Sequence, residues 1–292
     1  MGLTISIVAL FLGTLWLLMT VMDEGSLPGG AKVAIVEVDG IIGVGPDRSA
    51  DADSIVRTLG EYRDNPSVAA VVLRVNSPGG VVGPTQEIFS AVQRVRAAGK
   101  PVVASLGAVA ASGGYYVAVA ANRIFANPGT LTGSIGVIMQ LANVEGLLRK
   151  VGVDYVVVKA GAYKDIGSFA RPMKPEERQV LQALLDDVYG QFVTAVAEHR
   201  GLDRKTVLGF ADGRIYSGQQ ARALKMVDDL GGLQEAIEAA GKLAGIPGKP
   251  KVIYPRRRFS LRDLLSNQFG PGGATSLLPA LPSLKTPLYL MP

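Results

Sequence analysis

The chain has 292 residues, 48% of them hydrophobic, with no cysteine, a single histidine and a formal net charge of +5. This length suits one large domain or two small ones. The missing cysteines exclude disulfides, thiol nucleophiles and zinc–thiolate centres, and a lone histidine excludes a multi-histidine metal site. From Lys249 onward seven bases face one acid, Asp263, so this tail carries +6 and the rest of the chain −1, which excludes a basic, nucleic-acid-binding body.

Residues 2–22 form an uncharged, mostly apolar run, long enough for a membrane-spanning helix. No basic start precedes it and no Ala-x-Ala site follows it, so a retained anchor is expected over a cleaved leader. No Lys or Arg flanks the run, so with only the N-terminal amine before it and the acidic pair Asp23-Glu24 after it, a cytoplasmic N-terminus and an extracytoplasmic body are expected. Residues 23–32 read as a Gly/Pro linker.

The body opens with a strand, Val33–Val38. Ser49 to Arg63 has helical spacing and stops at Asn65-Pro66. Val68–Val75 is an almost continuous Val/Ala/Leu strand, the pattern of a strand covered on both faces. Pro84–Ala98 is an amphipathic helix closed by Gly99. Val102–Leu106 is the next strand, and a helix is expected from Gly114 to Asn122. Asp154–Lys159 reads as another strand, Lys174-Pro175-Glu176-Glu177 starts a long helix to about Arg200, and short helices are expected at Ser217–Leu224 and Gln234–Leu243. Strands and helices alternate, which points to an α/β body with parallel strands. The folded domain is expected over residues 33–245, and residues 246–292 read as a Pro-rich, basic tail that either touches an anionic membrane surface or stays solvated.

The candidate chemistry centres on Ala110-Ala111-Ser112-Gly113-Gly114, where a strand hands over to a helix. The first N–H groups of a helix are unpaired, so a serine there can attack a carbonyl whose oxyanion the helix start receives. The plain alternative is a small-residue helix start packed closely on a sheet. His199 lies among charged residues near a helix end and is expected to be solvated, so the base must come from elsewhere. A desolvated lysine can serve, and Lys164 has the most apolar, small-residue setting of the lysines, although it can equally be read as a solvated loop residue. Its neighbour Asp165 would oppose the role by holding the ammonium charged. Asn76-Ser77-Pro78-Gly79-Gly80 follows a buried strand and can expose amides to a ligand, or form an ordinary Pro-Gly turn.

Together, Arg74–Gly80, Ala110–Tyr116, Leu131-Thr132-Gly133-Ser134-Ile135-Gly136-Val137 and Gly161-Ala162-Tyr163-Lys164-Asp165 closely resemble the bacterial signal peptide peptidase A family. The later Ala211–Gly218 and Val227–Gly231 also match. The resemblance runs in order from about Val33 to Gly241. It implies a Clp-protease/crotonase-like α/β fold with repeated ββα units behind one transmembrane helix. It also implies a Ser–Lys endopeptidase with no cofactor or metal. By this likeness Ser112 is the nucleophile, Lys164 the general base, and Ser134 the serine that orients the lysine amine. Gly113 and Gly80 are the oxyanion donors, with Gly79 an alternative to Gly80. The implied partners are cleaved signal peptides or other apolar peptides, the bacterial cell membrane, and further copies of the chain in a short-form, octameric ring. A related membrane Ser–Lys protease with another apolar target, a crotonase-like acyl-CoA binder and an inactive scaffold are the competing readings.

Overall fold

The computed structural model describes residues 30–43 and 50–254 and the backbone of residues 288–290. The expected membrane anchor, most of the linker and most of the tail lie outside the described residues. Among the described residues no helix is long and apolar enough to cross a membrane.

In chain order the elements are β1 (Lys32–Asp39), β2 (Ile42–Gly43), β3 (Ala50–Asp51), α1 (Ala52–Asp64), β4 (Val68–Ser77), β5 (Gly79–Val81) and α2 (Val82–Ala97). Then come β6 (Val102–Ala111), α3 (Gly113–Val119), β7 (Arg123–Ala126), β8 (Leu131–Gly133), α4 (Glu145–Lys150), α5 (Pro175–Arg200) and α6 (Arg204–Leu208). The chain continues through β9 (Ile215–Ser217), α7 (Gly218–Ala223), β10 (Asp229–Leu230), α8 (Leu233–Leu243), β11 (Lys251–Ile253) and β12 (Leu288–Leu290).

The main sheet runs β10-β7-β6-β4-β1-β11, with every pair parallel. β8 joins it parallel to β6, and β9 pairs antiparallel to β8. Side chains on a strand alternate between faces, and both faces are covered here. Ala34, Val36 and Val38 of β1, with Val71, Leu73 and Val75 of β4, pack into a core with α1, α2, α3 and α5. The intervening Val33, Ile35, Ala70 and Val72 pack under α8 against Ala236, Ile237 and Ala240. The unbroken apolar runs of β1 and β4 follow from this double coverage.

Local chemistry sets the helix ends. Asp51 caps α1, its carboxylate accepting from Ser54 N at 3.0 Å. Pro175 opens α5, whose Glu177 carboxylate accepts from Lys174 N at 3.0 Å.

Two expectations change. Asp154–Lys159 forms no strand: its β-prone residues meet no partner strand among the described residues, and the segment is exposed. The sheet also continues past residue 245, because β11 pairs with β1 from Lys32↔Lys251 to Ala34↔Ile253. A second small sheet runs β12-β5-β2-β3 beside the main one.

Candidate active site

Three parallel strands deliver their C-terminal ends to one place. Ser77 at the end of β4 pairs with Ala110 of β6, and Ala111 pairs with Gly133 of β8. Thr132 Oγ1 donates to Ala110 O at 2.7 Å and ties β8 to β6 again. Ser112, Ser134 and the loop at Ser77–Gly80 therefore meet, although 57 residues separate the outermost of them in sequence.

Ser112 sits between β6 and α3 with φ 52° and ψ −117°. A positive φ is rare for a residue with a Cβ and stores strain of about 1–3 kcal/mol. Its N–H donates to Gly133 O at 2.8 Å, and its carbonyl accepts from Tyr116 N at 2.8 Å. The residue is 1% exposed, and its Oγ has no hydrogen-bond partner among the described residues. Ser134 has the same kind of backbone, φ 50°, is buried, and donates its N–H to Arg214 O at 2.8 Å. The reading of the sequence missed the strain at both serines. The signal it left is the glycine beside each, Gly113 and Gly133.

The start of α3 is pressed against the Ser77 loop. A Cβ at Gly114 would lie 2.6 Å from Ser77 O, so only glycine fits. A Cβ at Gly80 would lie 2.0 Å from Ile42 O, so β5 also needs its glycine to lie against β2. Gly113, at the first position of α3, and Gly80 of β5 thus lie on the two segments that meet at Ser77, while the Gly79 N–H is given to Ser77 Oγ at 3.1 Å and is not free for the role. Backbone amides from two such segments are what an oxyanion hole requires.

Lys164 is not brought to this place within the chain. It is exposed in a turn, with its own N–H on Gly161 O at 3.2 Å, and its side chain has no partner among the described residues. The unpartnered Ser112 Oγ excludes a hydrogen bond between the two. The enclosed, apolar setting expected for Lys164 is absent from the single chain. The objection from Asp165 also falls away, because that carboxylate is engaged by Arg171 Nε at 2.9 Å and by Lys159 Nζ. These two hydrogen bonds hold Asp165 well below the usual carboxylate range. Arg171 also grips Glu177, with Nη1 on Oε2 at 2.9 Å. Glu177 is pushed down to about 2, by Arg171 first and the Lys174 N–H second. The Lys164 turn is thereby fastened to the N-terminus of α5.

His199 is half-buried, not solvated. Its ring meets Phe89 edge-on at 5.2 Å, and Gln93 and Arg96 approach its two nitrogens at 3.1 and 3.3 Å. Burial, then the Arg96 charge, pushes its pKa down. It lines a cleft of about 640 Å³ with Tyr116, Gln191 and Glu198, and that cleft includes none of Ser112, Ser134 and Lys164. Among the described residues no cluster of His, Asp or Glu could hold a metal ion.

The segment that carries Lys164 is itself unusual. Residues 151–164 are all exposed, Val156 at 81% and Val158 at 96%, and none of α4 is buried.

Comparison with known proteins bears on this site. The profile of peptidase family S49 matches residues 94–247, which include Ser112, Ser134 and Lys164. A candidate protease of Synechocystis sp. is 46% identical over 74% of this chain and 75% of its own length. Protease 4 of Salmonella typhi is 37% identical over 74% of this chain, which spans 35% of that longer protein. A candidate signal peptide peptidase SppA of Enterococcus faecium is 34% identical over 76% of this chain and 65% of its own.

Proposed function

Because the chain belongs to peptidase family S49, the signal peptide peptidase A family, and is a serine-type protease, we propose that it is a membrane-anchored Ser–Lys endopeptidase whose site forms between neighbouring copies. The observation that carries this reading is the pairing of an orphan with a spare. Ser112 Oγ is buried, strained and unpartnered, while Lys164 stands exposed on a segment rich in uncovered apolar side chains.

Ser112 Oγ attacks the scissile carbonyl and Lys164 Nζ of a second copy accepts its proton. The amides of Gly113 and Gly80 receive the oxyanion, since the Gly79 N–H is held by Ser77 Oγ. The lysine then protonates the departing amine, leaving an acyl-enzyme on Ser112, which water hydrolyses with the lysine again as base. Ser134 orients the amine. Lysine can hold the base role only where desolvation favours its neutral form, and solvent surrounds Lys164 in the single chain. Burial of residues 151–164 against another copy would supply that desolvation. Residues 2–22 would hold the protein in the membrane with the body on the extracytoplasmic side, and apolar peptides such as cleaved signal peptides are the substrates. A ring of eight copies is the assembly the family likeness suggests.

Labelling with a fluorophosphonate tests the nucleophile. The expected adduct is on Ser112, mapped by mass spectrometry, with none on the Ser112→Ala protein. An adduct on Ser134 or any other serine would overturn the assignment.

A further inference from the structure

We infer that Ser77 is a positioning residue of the oxyanion hole: its hydroxyl holds the peptide unit between Gly79 and Gly80 in the orientation that aims the Gly80 N–H at the substrate oxygen. The inference rests on the reading of Ser112 as the nucleophile and of Gly113 and Gly80 as the oxyanion donors.

Ser77 is fully buried, and its side chain takes no part in the chemical steps. Its Oγ accepts from Gly79 N at 3.1 Å and donates to Gly79 O at 3.4 Å. Pro78 has no N–H, so a hydroxyl folding back from Ser77 meets its first donor on Gly79. The Gly79 N–H belongs to the peptide unit before Gly79, and the Gly79 carbonyl to the unit after it. One hydroxyl therefore restrains the units on both sides of this glycine. A peptide unit is planar and trans, so the carbonyl and the N–H of the unit 79–80 point in opposite directions. Holding Gly79 O thus aims Gly80 N–H.

The restraint has a reason. Gly79 stands at φ 113°, a region glycine enters without a steric penalty, and a residue with no Cβ turns freely about φ and ψ. A half-turn of the unit 79–80 would present a carbonyl oxygen where negative charge develops. Ser77 also meets the other donor segment. A Cβ at Gly114 would lie 2.6 Å from Ser77 O and 3.3 Å from Ser77 Cβ, so Ser77 lies against the first turn of α3, where Gly113 stands. The pairing of β4 with β6 slips at this point, from Val75↔Leu106 to Ser77↔Ala110. The end of β6 that carries Ser112 is therefore set by its pairing at Ser77. One buried serine touches both halves of the hole.

Three readouts on the whole protein test this with two variants. Ser77→Ala removes the hydroxyl, and Ser77→Cys puts back a weak donor and acceptor. The first readout is hydrolysis of a chromogenic apolar peptide. Ser77→Ala is expected to lower kcat about 10²-fold, the loss that follows removal of one oxyanion donor, with KM within about twofold and the cysteine variant between the two. A raised KM with unchanged kcat would place Ser77 in substrate binding and overturn the inference. The second is the infrared carbonyl band of an acyl-enzyme formed on Ser112 from an isotope-labelled apolar ester and trapped at acidic pH. Donors in the hole pull this band to lower wavenumber, so Ser77→Ala is expected to move it up and Ser77→Cys part of the way. A lowered kcat with an unmoved band would make Ser77 a packing residue only and overturn the inference. The third is amide hydrogen exchange at residues 79–80 in the Ser112→Ala background, which needs no turnover. Loss of protection at Gly79 is expected when the hydroxyl is removed, and equal exchange would overturn the hold. If Ser77→Ala does not fold, Ser77→Cys carries the same comparisons. If the unsubstituted protein forms no adduct on Ser112 and cuts no peptide, the protease reading fails and the oxyanion role of Ser77 fails with it. Normal activity in both Ser77 variants overturns this inference alone.

Discussion

Ser112 carries two separate costs on one residue. Its backbone stands at φ 52°, and its hydroxyl is buried with no partner among the described residues. An unsatisfied buried hydroxyl costs about 1–3 kcal/mol. Ser112→Ala removes the hydroxyl and leaves the backbone as it is. This variant should therefore unfold at higher urea, by about 1 kcal/mol, and peptide hydrolysis by its assembly should fall by a factor of at least ~10³. Urea unfolding and a peptide assay on the same preparation check both halves. A destabilised variant would mean that the hydroxyl is satisfied after all, and retained hydrolysis would remove Ser112 from the chemistry. The serine was legible in the sequence because small residues and glycines surround it, and the Ser77–Gly80 loop because of its proline and glycines, whereas Ser134 was reached only through the family likeness. Their strain was not legible, since a φ is imposed by the strand ends that converge there and leaves only the flanking glycines as a trace.

At the scale of elements, the sequence reads best where a pattern is local. β4 and β6 are continuous apolar runs, and α5 announces itself with Pro175 and two acids. It reads worst where pairing is remote. Asp154–Lys159 has the composition of a strand but no partner strand among the described residues, and β11, a short strand between Pro250 and Pro255, gains its partner from β1. The fastening of the Lys164 turn to α5 through Asp165, Arg171 and Glu177 was equally hidden, although each residue is plain in the sequence. It has a pH signature. Glu177 is held at about 2 in the fold, below its ordinary value of 4.5. A carboxylate depressed by folding contributes stability that is present above its ordinary pKa and lost as the pH falls through its folded one. Wild-type stability should therefore drop between about pH 4.5 and 2 more steeply than that of Glu177→Gln, and Arg171→Ala should flatten the same window. Denaturant unfolding across that range checks it, and parallel curves for all three proteins would mean that the pair contributes nothing.

For the whole molecule, one observation weighs most: Ser112 is buried without a partner among the described residues, while Lys164 is exposed elsewhere in the same chain. Apolar side chains from Val151 to Tyr163 are uncovered in the single chain, Lys164 ends that stretch, and the proposed assembly would cover it. In a head-to-tail ring each copy gives Ser112 to one site and Lys164 to the next, since every interface repeats the same contact. The two single variants, Ser112→Ala and Lys164→Ala, should each be inactive. Unfolded together in equal amounts, refolded and assayed, they should recover about a quarter of wild-type activity, because about one interface in four then joins an intact serine to an intact lysine. No recovery in assemblies shown to contain both variants would contradict the shared site and return both residues to a single chain.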